Sequence, residues 1–222
     1  MAAAREQANY FIAIFVSDLD IRSKVETVQK EVVSHDKRLE RFLIPSESLH
    51  LTLLAIHLEK DKQEQIEKAK KILEQCRTIL SSGPFTIKLK GLDYFLYNPE
   101  TSDPKTEKVP RVLYVKPGEN GNERLYDVAD GVRDTFTNQG IPSADTRKWE
   151  PHIAVIKLWD NTSKVKEIPK KSFEEYIDWD FGEEQVSSLR LCEMGAKKDK
   201  DGFYKYNCVK EIDFKADDEF DN

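Results

Sequence analysis

No stretch of this sequence is apolar for long enough to span a bilayer, and the opening "MAAAREQ" lacks the apolar core of a secretory signal. A soluble, cytoplasmic chain is expected, with a nuclear location also compatible and no membrane partner. Cysteine is scarce: Cys76, Cys192 and Cys208 stand far apart with no CxxC pair, so neither a zinc ribbon nor a disulfide framework is indicated. A bridge between Cys192 and Cys208 is conceivable across a hairpin, but buried free thiols in a reducing compartment are the expectation. An excess of positive charge is missing as well. Lys and Arg number 35 against 41 Asp and Glu, for a formal charge of -6. That argues against broad binding along a duplex backbone, which wants a basic face. It leaves room for a small nucleotide or an oligonucleotide end, where a few local cations suffice.

What the sequence does have is length and pattern. A chain of 222 residues can bury a sizeable core as one large domain or two small lobes. "NYFIAIFV" (9–16) reads as a buried strand, and 17–43 as a helix with apolar residues at Ile21, Val25, Val28 and Val32, fading near Asp36. Residues 49–58 form a strand and 60–80 an amphipathic helix with a solvated Lys/Glu face, stopped by "SSGP". Residues 85–97 read as one or two strands, 98–110 as a poorly ordered loop and 111–117 as a strand. Residues 122–140 make a helix closed by a glycine, and about 151–158 a strand. Two alternating runs around "KDKDG" (187–214) predict a hairpin, and the acidic residues 215–222 a disordered tail.

Two of these strands repeat one device. His50-Leu51-Thr52-Leu53-Leu54 aligns with His152-Ile153-Ala154-Val155-Ile156, and each run follows a strand and a helix. A duplicated α+β lobe related by an approximate twofold would bring His50 and His152 face to face. Strand alternation puts Thr52 on the side of His50 and Ala154 on the side of His152. Two near-neutral imidazoles across one ligand can divide the base and acid roles that phosphodiester cleavage needs. A hydroxyl two residues on can hold the phosphate oxygens. His35, on a helical segment, and His57, on the face expected to be opposite His50, receive no role.

These motifs resemble the paired H-φ-[ST]-φ signature of the 2H phosphoesterases. The likeness runs from "NYFIAIFV" to "YKYNCVKEI" and includes "GLDYF", "RVLYV" and "TRKWEPHIAVIKL". Within that family the chain is most similar to the central domain of the A-kinase anchoring protein 7/18 group and the related leukocyte receptor cluster domain. The resemblance implies one bilobal domain over 1–214: duplicated antiparallel-sheet lobes, outer helices and a central cleft. It also implies no cofactor, no metal, and substrates with 2′,5′-linked or 2′,3′-cyclic phosphodiesters at an RNA or oligonucleotide end. A monomer is expected. A kinase-anchoring partner is not, because the anchoring helix of the larger proteins has no counterpart after residue 214.

Carried over residue by residue, His50 and His152 become the acid–base pair and Thr52 a phosphate ligand. Phe95 and Trp149 fall in family cleft segments and are candidates for base stacking or for core packing. Ala154 departs from the pattern. One hydroxyl lost against a charged group is worth about 1.5–3 kcal/mol, on the order of ten- to a hundredfold in rate. Thr146, Arg147 or Lys148 are candidates to compensate, and Arg111 is expected to meet a surface carboxylate. A weakly catalytic or purely nucleotide-binding module is the alternative, and a protein-interaction domain with no nucleotide affinity a third.

Overall fold

A computed structural model describes residues 7–59, 63–97, 108–159, 164–198, 200 and 204–214. The aromatic run becomes β1 (Tyr10–Phe15), and Asp18 then caps α1 (Leu19–His35) by accepting the Ile21 N–H at 2.9 Å. The apolar stripe of α1 is buried at Ile21, Val25, Val28 and Val32, and the helix ends at Asp36. There follow β2 (His50–Ile56), α2 (Gln63–Gln75), β3 (Phe85–Tyr97), β4 (Val109–Pro117) and α3 (Glu123–Asn138). Gly140 closes α3 at φ +79°, a left-handed conformation that a side chain would strain.

The second histidine run is β5 (Ile153–Lys157), followed by β6 (Asp180–Val186) and β7 (Ser188–Glu193). A short ribbon, β8 (Lys197–Lys198) with β9 (Tyr204–Lys205), leads into β10 (Cys208–Asp213). Residues 98–107 and the acidic tail 215–222, for which disorder was expected, lie outside the described residues, as does part of the "KDKDG" turn.

Helices and antiparallel strands combine as expected, and the two lobes are the halves of one eight-stranded sheet. Its order is β10-β7-β1-β2-β5-β4-β3-β6, with every pairing antiparallel. The halves meet where β2 and β5 share a single residue pair, Leu51↔Ile153. All three helices lie on one side of the sheet and bury its apolar face, and α1 and α3 do so crosswise. α1, from the first half of the chain, packs on β5 and β6, whereas α3 packs on β2 and α2 on β10.

Two details depart from the sequence reading, the strand β6 and the Cys192–Cys208 bridge, and two others add to it. Residues 85–97 are one strand, bent by a bulge at Gly91 (φ +88°), where a Cβ would stand 2.5 Å from the Ile177 carbonyl. β6 had been assigned no structure. Its Glu184 is buried and accepts the backbone N–H groups of Ser17 and Asp18, both at 3.0 Å. Cys192 and Cys208 form a disulfide rather than free thiols, because the β7–β10 register sets them directly opposite; only Cys76 is a buried free thiol. Arg111 donates to the backbone carbonyl of Leu158 at 3.0 Å.

Candidate active site

The single seam pair decides what faces what. With Leu51 opposite Ile153 in antiparallel register, His50 falls opposite Ala154 and Thr52 opposite His152, all on the face away from the helices. The two histidines are then diagonal neighbours, a relation that in antiparallel sheets spans about 7–8 Å. They sense one another: charge on His152 disfavours protonation of His50.

Each imidazole is held in the same way. His50 Nδ1 lies 2.8 Å from the Ser48 carbonyl, and His152 Nδ1 lies 2.7 Å from the Glu150 carbonyl, two residues upstream in both cases. A carbonyl oxygen can only accept, so Nδ1 carries the hydrogen and Nε2 of the neutral ring is left bare. Burial lowers the pKa of both rings. His50 is held down to about 4, and the charges of His152 and Lys157 add to the effect. His152 is also lowered, mainly by burial, with Glu150 beside it acting in the opposite sense.

The rings differ in their surroundings. Phe11, Phe15 and Tyr206 enclose His50 at centroid distances of 4.9, 5.5 and 5.0 Å. Phe95 meets His152 edge-on at 5.0 Å, and Tyr114 lies 5.4 Å from it while donating to Glu150 at 3.0 Å. A cavity of about 340 Å³ opens beside this second cage, lined by Thr52, His152 and Ala154 together with Phe95, Trp149 and Lys157. His50 is not among its lining residues.

Lys157 was missed by the sequence reading. Strict alternation from His152 would turn it away from the cleft. However, β5 carries one extra residue, Val155, against β4, so Val155 and Ile156 are both buried and Lys157 returns to the cleft face. β2 does the same against β1. Leu53 is the extra residue, Leu53 and Leu54 are both buried, and Ala55 faces the cavity. Each motif thus presents three positions: His50, Thr52 and Ala55 from β2, and His152, Ala154 and Lys157 from β5. His57 lies just past the last residue of β2 and lines a separate cavity with Gln65 and Lys68 of α2. Its Nδ1 is 2.7 Å from the Gln7 carbonyl.

The remaining candidates divide. Arg147 lines the cavity but forks onto Asp145, with Nε–Oδ1 at 3.0 Å and Nη2–Oδ2 at 2.5 Å, and holds that carboxyl down to about 2. Lys148 also lines the cavity; Thr146 lines a separate one beside His57. The Trp149 indole N–H is engaged, donating to the Thr52 carbonyl at 2.9 Å. Among the described residues no three His, Cys, Asp or Glu side chains gather as a metal ion would need. Nor is any of their helices long and apolar enough to cross a membrane.

Paired histidine motifs on adjacent strands of one antiparallel sheet place the chain with the 2H phosphoesterases. The model of the AKAP7 2′5′ RNA ligase-like domain matches residues 8–214, and the chain belongs to that family. It is 26% identical over 205 residues to the A-kinase anchor protein 7 isoform gamma of Homo sapiens, covering 89% of this chain and 55% of that one. The chain thus spans about half the length of that curated relative. Among solved structures, a phosphoesterase superposes with a TM-score of 0.60 at 17% identity, covering 95% of this chain and all of the other. E. coli LigT in apo form gives 0.56 at 18%, covering 93% and 96% of the two chains. These likenesses define the fold.

Proposed function

We propose that the protein is a phosphodiesterase acting, without a metal, on 2′,5′-linked oligonucleotides or 2′,3′-cyclic phosphate ends of RNA. The observation that carries this reading is the matched pinning of His50 and His152. Both present a bare Nε2 on one sheet face, diagonal across a seam whose other two corners are Thr52 and Ala154. LigT has been solved with 3′-AMP and with ATP, so this fold holds nucleotides elsewhere.

In the proposed reaction one neutral imidazole removes a proton from water or from a ribose hydroxyl, whose oxygen attacks phosphorus. The other, protonated, gives its proton to the departing oxygen, so one proton enters and one leaves. Two lowered imidazoles are both neutral in the free protein at pH 7. The anionic phosphodiester between them favours protonation, and His152, with Glu150 adjacent, takes that proton more readily than the caged His50. His50 is then the base and His152 the acid. Thr52 donates to a non-bridging oxygen. Lys157 supplies from the second motif the positive charge that offsets the hydroxyl absent at Ala154.

The alternative, nucleotide binding without useful turnover, is favoured by Ala154 and by the ring of Tyr206 beside His50. A panel of 2′,5′-oligoadenylate, 2′,3′-cyclic nucleotide and 3′,5′-linked RNA in EDTA separates the two. Turnover that survives chelator and disappears in His50→Ala and in His152→Ala is expected. Binding of 5′-AMP by calorimetry with no turnover of any substrate would establish the alternative, and activity rescued only by a divalent ion would reject the two-histidine mechanism.

A further inference from the structure

A bulge leaves backbone carbonyls turned away from the strand that would have paired with them, and a buried carbonyl without a donor costs about 1–3 kcal/mol. Here each bulge residue takes a side-chain donor from a helix of the opposite half. The Leu53 carbonyl accepts from Arg133 Nη1 of α3 at 3.1 Å, and the Val155 carbonyl from Gln29 Nε2 of α1 at 3.0 Å as well as from the Ile44 backbone N–H at 2.9 Å. The arrangement occurs twice, once in each half.

On the β2 side the support is doubled. The Trp149 indole N–H reaches the Thr52 carbonyl, one residue before the one Arg133 holds, and the Arg133 guanidinium stands 5.9 Å from the Trp149 ring centroid. Tyr126 of α3 braces the same indole edge-on at 5.8 Å. Thr52 bears the sole motif hydroxyl; it pairs with Ala13 of β1 next to the bulge, and on its other side β2 meets β5 through Leu51 alone.

We propose that Trp149 and Arg133 are positioning residues: a two-point clamp on the β2 bulge that aims the Thr52 hydroxyl at the reacting phosphate. This assigns Trp149 a role through its N–H rather than through its face as a base platform. It rests on the phosphodiester reading of the cleft. A clamp acts on how well the hydroxyl is aimed, whereas a stacking platform acts on how tightly the nucleoside is held.

Trp149→Phe removes the donor and keeps an aromatic face. Arg133→Met removes the second donor, and Arg133→Lys restores one. With a substrate from the panel above, Trp149→Phe is expected to lower kcat by about ten- to a hundredfold while KM stays within about twofold. Arg133→Met is expected to lower kcat similarly, with partial recovery in Arg133→Lys. In a Thr52→Ala background Trp149→Phe should cost nothing further, since there is no hydroxyl left to aim. The clamp is overturned if Trp149→Phe has wild-type kcat, if it raises KM alone, or if it costs as much with Thr52→Ala as without. Should the wild type turn over nothing, the phosphodiesterase reading fails first. The same cycle is then read by calorimetry with inorganic phosphate, where a Trp149→Phe loss that vanishes in Thr52→Ala sustains the clamp and an unchanged affinity rejects it. Circular dichroism and melting curves exclude variants that do not fold, in which case the Arg133 pair alone decides.

Discussion

The cage around His50 makes a sharp demand on its titration. Burial among Phe11, Phe15 and Tyr206, with His152 and Lys157 nearby, holds its pKa down to about 4 against the ordinary 6.5. The folded protein therefore keeps this ring neutral down to pH about 4, while the unfolded chain takes up a proton near 6.5. Between those limits the unfolded state binds the extra proton, so stability falls as pH falls. The contribution is complete above about 6.5 and is lost on the way down to about 4. At about 1.4 kcal/mol per pH unit, that amounts to about 3 kcal/mol. The assay is urea unfolding of wild type and His50→Asn at a series of pH values from 7 to 4.5. The difference between the two proteins should shrink or reverse by that order, and NMR titration of the imidazole gives the pKa directly. Tyr206→Ala opens one wall of the cage, and the His50 pKa should rise toward 6.5 by about one unit or more. A wild-type His50 that titrates at 6.5 refutes the desolvation argument. A ring that stays near 4 without Tyr206 removes that residue from it.

Other expectations follow from single contacts. Lys157→Met should reduce turnover about ten- to a hundredfold in steady-state assays, and Ala154→Thr should raise it by at most about a hundredfold, each with melting temperature measured alongside. An Ala154→Thr protein that folds, binds and gains nothing would mean that the absent hydroxyl limits nothing. Glu184→Ala leaves the Ser17 and Asp18 amides without their acceptor and should cost about 1–3 kcal/mol in chemical denaturation, with α1 melting early. Opening the Cys192–Cys208 bridge, which spans a sequence separation of 16, should lower unfolding stability by about 3 kcal/mol, seen as a lower urea midpoint in reductant or in a Cys208→Ser variant.

Much of this architecture could be read from apolar spacing. The stripe of Ile21, Val25, Val28 and Val32 is a property of one segment, and it predicted the buried face of α1. The repeated His-x-[Thr/Ala] runs likewise predicted which side chains share a face over three residues. What escaped depends on a partner strand. The extra residues Leu53 and Val155 exist only relative to β1 and β4, so no pattern within β2 or β5 announces them, and alternation carried past Val155 misplaced Lys157. The bridge between Cys192 and Cys208 needed the β7–β10 register. β6 drew no reading from the sequence, since its buried positions Phe181, Glu184 and Val186 include a charged residue, held as the acceptor for the start of α1.

The crosswise helices give the duplication a consequence beyond symmetry. Because α1 covers β5 and β6 while α3 covers β2, each half of the chain wears the other's apolar lining. Cutting the chain between the repeats would expose both linings at once, so neither repeat is a separable domain. The same interlock works against opening at the seam. One residue pair would make a soft hinge, but bending there would drag each helix off the half it covers. On this packing the cleft is expected to act as a gauge of fixed width rather than a jaw, so that a ligand of the proposed reaction would have to match the histidine spacing as it stands.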